Sequence, residues 1–202
     1  VQRLNILYVP SINKIISDGG INDLIHKNEI IMNSQINGVS REIIDNKKRI
    51  VLLAGPSSSG KTTTTKKLGL FLASYGYNAI TISLDDFYLD NDKKPHLPDG
   101  KIDYESIDAI DINFFCDCLN RLLKGEEVQL PEYDFTIGEP TPGKIIKLEG
   151  NDVIVVEGLH AINPKLIGLI DPEAIYKVYI SPLTPLGIDR HNYVSTTDNR
   201  LL

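Results

Sequence analysis

Short runs of consecutive apolar residues recur along the chain and predict buried strands. The four runs are 50–54, 79–84, 153–156 and 175–180. Continuous apolar runs of this length are typical of parallel strands that are covered on both faces. Apolar positions at helical spacing predict helices over 61–75 and 107–124 between the strands. The alternation predicts an α/β fold, a mostly parallel sheet flanked by helices on both faces.

Two further patterns lie outside this alternation. Residues 128–137 and 143–148 read as strands joined through 138–143, and they predict a β-hairpin flap. Residues 21–47 carry apolar positions at helical spacing and predict one or two helices ahead of the first strand.

Composition narrows the class of protein. The chain has 202 residues, 42% of them hydrophobic, and a net charge of -6, which suits one soluble α/β domain and disfavours nucleic acid or an anionic membrane as partner. No apolar run approaches the ~20 residues of a membrane span, and no signal peptide opens the chain. The only cysteines, Cys116 and Cys118, lie two apart in an amphipathic stretch, which predicts free thiols in a reducing cytoplasm.

A glycine-rich motif follows the first predicted strand. It has the spacing G-x-x-x-x-G-K-T over 55–62, and the backbone amides of such a loop and of the following helix bind phosphates. Lys61 brings a positive charge to the β- and γ-phosphates, and the Thr62 hydroxyl can bind Mg²⁺. The predicted phosphate-binding residues are Gly55, Ser57, Ser58, Ser59, Gly60, Lys61, Thr62 and Thr63.

Carboxylates follow two of the other strands. Asp85 ends the second strand and can act as the general base for a hydroxyl, although Asp85 and Asp86 can equally be solvated residues of a turn. Glu157 ends the 153–156 strand, where it can hold Mg²⁺ together with Thr62; the alternative is a carboxylate bound by the amides that follow it. The chain lacks the D-x-x-G and N-K-x-D motifs of a GTPase. Its four histidines do not cluster with cysteines, so no zinc site is assigned.

Several longer segments resemble the uridine kinase/phosphoribulokinase family of P-loop kinases. They are GPSSSGKTT at 55–63, SLDDFY at 83–88, KIDYESIDAID at 101–111, VQLPEYDF at 128–135 and IVVEGLHAINP at 154–164. The resemblance implies a P-loop NTPase fold that uses ATP and Mg²⁺ in the cytoplasm, with Lys61 and Asp85 as catalytic residues. It implies a nucleoside-like acceptor, phosphorylated on the 5′-hydroxyl of uridine or cytidine. By position it assigns Asp103 to the ribose hydroxyls, Tyr133 and Tyr88 to the base pocket, and Arg200 to a lid.

The resemblance extends to a longer bacterial branch, whose members carry domains similar to the N-terminal part of threonyl-tRNA synthetase. It implies that residues 1–48 are a helical connector to a missing upstream region and that 49–202 form a kinase domain truncated at its lid. One departure concerns Gly138, which falls near a histidine that reads the pyrimidine in the family.

Two alternatives stay open. The same fold can phosphorylate a phosphorylated sugar or a pantothenate-like alcohol, although residues 85–140 offer few cations for an anionic acceptor: Lys93, Lys94, Lys101, Arg121 and Lys124. The chain can also be a non-catalytic ATP-binding regulatory module. A homo-oligomer is compatible with either reading.

Overall fold

A computed structural model describes residue 6 and residues 8–181. The helices are α1 (Val9–Ser17), α2 (Ile21–Asp45), α3 (Lys61–Ser74), α4 (Ile112–Leu123) and the short α5 (Pro164–Ile167). The strands are β1 (Ile50–Ala54), β2 (Asn78–Ser83), β3 (Val128–Asp134), β4 (Glu139–Ile146), β5 (Asp152–Gly158) and β6 (Ile175–Tyr179).

The central sheet has the order β2–β5–β1–β6, and its strands are all parallel. Successive residues of β1 and β5 point to opposite faces because side chains alternate along a strand. Ile50 and Leu52 pack into a core with α4, whereas Val51, Val153 and Val155 pack into a second core. Leu68 and Leu72 of α3, with Ile36 and Ile43 of α2, complete that second core. The predicted parallel sheet with helices on both faces is confirmed.

The segment before β1 is helical. Residues 21–45 form one continuous helix, α2, which places the buried Ile36 and Ile43 in the second core beside α3. α2 therefore packs on the domain that follows it. The assignment of 1–48 as a connector, and the division at 48, remain predictions.

Helix α4 begins five residues later than the apolar pattern predicts. Ser106 caps a 3₁₀ turn over 107–109 by accepting a hydrogen bond from the Asp108 backbone, and Ile110 is then extended. Asp111 caps α4 by accepting a hydrogen bond from the backbone of Phe114. Because Asp and Ser stabilise helix N-termini, this second cap sets the start at Ile112.

The hairpin differs from the prediction in its strand ends. β3 and β4 are antiparallel with Tyr133 opposite Pro140, so the turn spans 135–138 and residues 139–143 belong to a strand. The predicted loop over 138–143 was wrong. The prolines at 140 and 142 are not typical of a strand. Each is tolerated because, within the part of the chain that the structure describes, β4 pairs with β3 alone and its other edge is unpaired.

Both cysteines are buried free thiols, and burial raises the pKa of each to about 11. Among the described residues, no helix is long and apolar enough to cross a membrane.

Candidate active site

Three neighbouring strands bring the predicted chemical groups to one edge of the sheet. In the register of the sheet, Glu157 of β5 lies opposite Leu53 of β1 on one side and Ser83 of β2 on the other. The glycine-rich loop follows β1 and Asp85 follows β2. The carboxyl ends of parallel strands are where open α/β sheets bind ligands, so the loop, Glu157 and Asp85 share one site.

The glycine-rich loop is shaped by two left-handed residues, Ser58 with φ of 59° and Gly60 with φ of 88°. Gly55 lies against its surroundings so closely that a Cβ would stand 2.7 Å from the Ile180 carbonyl oxygen. The Lys61 ammonium donates hydrogen bonds to the backbone oxygens of Gly55 and Pro56, both at 3.0 Å. The ammonium is therefore held over the loop by neutral carbonyls, which an anionic ligand can replace.

The loop also contains a buried hydroxyl without a partner. Ser59 Oγ is buried and makes no hydrogen bond within the described part of the chain. Buried polar groups are normally paired because leaving one unpaired costs about 1–3 kcal/mol. Ser57, Ser58, Thr62 and Thr63 are exposed around it. This arrangement fits a ligand that brings phosphate oxygens into the loop.

Thr62 and Glu157, the two residues predicted to bind Mg²⁺, are in contact. The Thr62 hydroxyl donates to the Glu157 carboxylate, with distances of 3.2 and 3.4 Å to its two oxygens. Mg²⁺ prefers oxygen ligands and is usually bound by one or two carboxylates together with substrate phosphates. The pair fits that donor set. Among the described residues, no group of three or more His, Cys, Asp or Glu side chains forms a metal cage.

Asp85 and Asp86 have different surroundings. Desolvation raises the pKa of Asp85, and the nearby charges of Lys61 and His160 partly offset that rise. Desolvation also raises the pKa of Asp86, offset first by a hydrogen bond from the Tyr133 backbone in the flap. Asp85 thus faces the phosphate-binding lysine, whereas Asp86 is tied to the hairpin.

The predicted acceptor residues lie together beside these carboxylates. The rings of Tyr88 and Tyr133 are 5.5 Å apart in an edge-to-face arrangement. The Tyr88 hydroxyl donates to the backbone oxygen of Tyr104 at 2.8 Å, directly after Asp103. Asp103 accepts a hydrogen bond from the Glu105 backbone at 3.0 Å. Arg200 lies outside the described residues.

Three side chains of this region were not predicted to be part of the site. Lys94 is only 3% exposed and hydrogen-bonds to Asn91 and to the Tyr133 hydroxyl. Burial lowers the pKa of Lys94, and Asp90 partly offsets this. His160 Nε2 lies 2.7 Å from the Glu105 backbone oxygen, close to Asp85. No motif marks Asn91 or Lys94, because both contact the Tyr133 hydroxyl of the hairpin, about 40 residues away along the chain. His160 follows Glu157 closely, so its position after a strand could have indicated it.

A parallel sheet with a glycine-rich loop after β1, a carboxylate after β2 and another at the end of β5 defines a P-loop fold. The model of the phosphoribulokinase/uridine kinase family matches residues 50–186, and the chain belongs to this family.

Relatives and a solved structure agree with this assignment. A uridine kinase of Bacillus mycoides (strain KBAB4) is 35% identical over 146 residues, which are 72% of this chain and 66% of the relative. A uridine kinase of Leuconostoc citreum (strain KM20) is 32% identical over 117 residues, 58% of this chain and 55% of the relative. The chain thus spans less than two thirds of these relatives. A solved chain described as a possible uridine kinase from Bacillus stearothermophilus shares the fold, with a TM-score of 0.57 and 23% identity over 72% of this chain and 79% of its own.

Proposed function

We propose that the protein is an ATP-dependent kinase that transfers the γ-phosphate to the 5′-hydroxyl of a pyrimidine nucleoside. The observation that carries the proposal is the position of Asp85, which follows β2 and lies within the electrostatic influence of the phosphate-loop residue Lys61. A binding module needs no carboxylate there, whereas phosphoryl transfer to a hydroxyl needs a group that takes the proton. Relatives named uridine kinases support the nucleoside as acceptor.

In the proposed reaction, the acceptor oxygen attacks the γ-phosphorus, the bond from that phosphorus to the β,γ-bridging oxygen breaks, and ADP leaves. Asp85 takes the proton of the acceptor hydroxyl, and its raised pKa brings its basicity closer to neutral pH. Lys61 neutralises phosphate charge. Thr62 and Glu157 would hold Mg²⁺, which supplies further positive charge at the phosphates when it is bound.

The alternative of an anionic acceptor receives little support from the cations of the region. Lys93 pairs with Asp90, Lys101 with Asp99, and Arg121 with Asp117 and Glu126 in exposed salt bridges. These charges are already paired at the surface. Lys94 and Lys124 take part in none of these salt bridges, and the Lys94 ammonium lies among the rings of Tyr88, Tyr104 and Tyr133.

Single-turnover transfer of labelled γ-phosphate from ATP to uridine and cytidine tests the proposal. Asp85→Asn should lower the transfer rate by about 10²–10⁴-fold, the usual contribution of a general base. ATP binding should be retained, since the glycine-rich loop is a different segment of the chain. Asp86→Asn is the matched control and should keep most of the transfer rate. If Asp85→Asn reacts within a few-fold of the wild type, Asp85 is not the base; tight ATP binding without transfer to any nucleoside would favour a regulatory module.

A further inference from the structure

Lys94 is enclosed by three tyrosines, Tyr88, Tyr104 and Tyr133, which together with Asn91 and Lys94 are called the tyrosine cluster. The Lys94 ammonium lies 3.9 Å from the ring centre of Tyr133, 4.6 Å from Tyr104 and 4.9 Å from Tyr88. These distances are within the range of cation–π attraction. The side chain is 3% exposed, although lysine is rarely buried without a carboxylate partner.

Three hydrogen bonds of the cluster converge on one acceptor atom, Asn91 Oδ1. Asn91 Oδ1 accepts from Lys94 Nζ at 2.9 Å, from the Tyr133 hydroxyl at 2.7 Å and from the Tyr104 hydroxyl at 3.2 Å. An amide oxygen has two lone pairs, so three donors compete for two positions. The other acceptor of Lys94 is the Tyr133 hydroxyl, and no carboxylate among the described residues hydrogen-bonds to Lys94. A ligand group that binds the Lys94 ammonium must therefore accept a hydrogen bond.

The cluster includes the predicted acceptor residues Tyr88 and Tyr133 and lies next to a third, Asp103. The Asp103 backbone donates to the oxygen of Pro95, the neighbour of Lys94, at 2.8 Å. Tyr88 follows Asp85 by three residues, through a 3₁₀ turn over 84–87. A nucleoside that presents its 5′-hydroxyl to Asp85 and its ribose to Asp103 would place its base towards the tyrosines. The Lys94 ammonium is then on the side of the site that meets the base.

Position 138 in the turn of the hairpin cannot supply a competing side chain. Gly138 has φ of 77°, and a Cβ at this position would stand 2.0 Å from Asn91 Nδ2. Asn91 occupies that space, and it is held there by a hydrogen bond from its own backbone to the Gly138 oxygen at 3.0 Å. Asn91 and Lys94, with the hydroxyls of Tyr104 and Tyr133, are thus polar groups that this part of the chain offers to a base.

We propose that Lys94 is a specificity-determining residue, whose ammonium donates a hydrogen bond to a carbonyl oxygen on the edge of the acceptor base. This inference rests on the proposed function and names its substrate more narrowly: a nucleoside with a carbonyl group at the position where cytosine has an amino group, hence uridine rather than cytidine. An ammonium has donors only, so it cannot accept a hydrogen bond from the amino group of cytosine. A polar site rejects a ligand that leaves its groups unpaired.

The test compares kcat/KM for uridine and cytidine in four proteins: the wild type, Lys94→Met, Lys94→Gln and Lys93→Met. The wild type should prefer uridine by about 10- to 100-fold, the effect of one hydrogen bond from a charged donor. Lys94→Met keeps the apolar stem and should lose most of that preference through a fall for uridine. Lys94→Gln, whose amide can donate and accept, should raise the value for cytidine. Lys93→Met, the exposed neighbour, should leave the preference unchanged.

The results separate the inference from the function on which it rests. An equal fall in kcat/KM for both nucleosides in Lys94→Met would mean that Lys94 only holds the tyrosines together. An unchanged preference in both Lys94 variants would mean that Lys94 does not contact the base. Either result overturns the inference, while transfer by the wild type upholds the function. Absence of transfer by the wild type would overturn the function. Calorimetric titration with uridine and cytidine then still decides on Lys94, because a preference for uridine that Lys94→Met removes supports the inference and its absence overturns it.

Discussion

Gly138 closes the turn between β3 and β4, and its replacement by alanine should disturb the tyrosine cluster. Its φ of 77° lies in the left-handed region, and the added Cβ would stand 2.0 Å from Nδ2 and 2.6 Å from Cγ of Asn91. Both contacts are far shorter than a Cβ tolerates. Because the Gly138 backbone is tied to Asn91 by a hydrogen bond, the Asn91 side chain must move to make room.

The size of the effect follows from two contributions. A left-handed alanine costs about 1–2 kcal/mol, and the smaller entropy of its unfolded chain returns about 0.4–1 kcal/mol, which leaves roughly 1 kcal/mol. Displacement of Asn91 removes its hydrogen bonds to the Tyr133 hydroxyl and the Lys94 ammonium. At about 1 kcal/mol for the neutral bond and about 2 for the charged one, Gly138→Ala should cost roughly 4 kcal/mol in all.

Gly100→Ala provides the matched control. Gly100 has nearly the same φ, 83°, but nothing lies within 4 Å of the position that its Cβ would take. It should therefore lose only the backbone contribution of roughly 1 kcal/mol. For a domain of this size, about 2–4 °C in Tm correspond to 1 kcal/mol, so thermal unfolding followed by circular dichroism should show roughly a 10 °C loss for Gly138→Ala and roughly 3 °C for Gly100→Ala.

A second measurement isolates the contact itself. In the Asn91→Ala background, the new Cβ meets no side chain from position 91, so Gly138→Ala should cost only the backbone contribution there. A double-mutant cycle measures this difference as a coupling free energy. If Tm falls by the same amount in the two glycine variants, or if the cycle shows no coupling, Asn91 does not restrict the space at Gly138.

Three other changes test the electrostatics and packing. Asp85→Asn should raise Tm at pH 8, because desolvation raises the folded-state pKa of Asp85 and the charged carboxylate therefore destabilises the fold above that pKa. The gain in Tm should shrink as the pH falls through that pKa. A gain that is constant with pH would contradict this. Glu157→Gln should weaken the binding of Mg²⁺, seen as a higher half-saturating Mg²⁺ concentration for transfer, with ATP binding in the absence of metal as the control. Cys116 and Cys118 should react with a thiol reagent only on unfolding, since both are buried and their pKa values are about 11; rapid labelling of the native protein would show that α4 opens.

The parts of the fold that depend on local pattern could be predicted from the sequence. β1 and β5 are continuous apolar runs because both of their faces are buried, and the glycine-rich loop between β1 and α3 has a fixed spacing. The predicted start of α4 was wrong because apolar residues at 107 and 110 continue the helical period, whereas the N-cap at Asp111 makes the helix begin at Ile112. In the hairpin, proline and glycine at 140–143 resemble a turn, and only pairing with β3 makes them a strand.

The phosphate side of the site could be anticipated for the same reason. Its amides, Lys61 and Thr62 come from eight consecutive residues. Glu157 meets Thr62 because the pairing of β5 with β1 places Glu157 opposite Leu53, next to the loop that leads into α3. The acceptor side could be anticipated only in part. Resemblance pointed to Tyr88, Asp103 and Tyr133, but the burial of Lys94 depends on contacts between three segments that no motif joins.

This difference in construction has a consequence for how the two halves of the site can vary. A change in the phosphate loop alters a continuous segment anchored on β1, so it should affect every acceptor alike. The tyrosine cluster instead joins the loop after β2, the segment at 103–104 and the hairpin. Substitutions in the tyrosine cluster can thus change which acceptor is bound while the glycine-rich loop keeps its geometry. Acceptor preference, rather than ATP binding, is where close relatives of this chain should differ most.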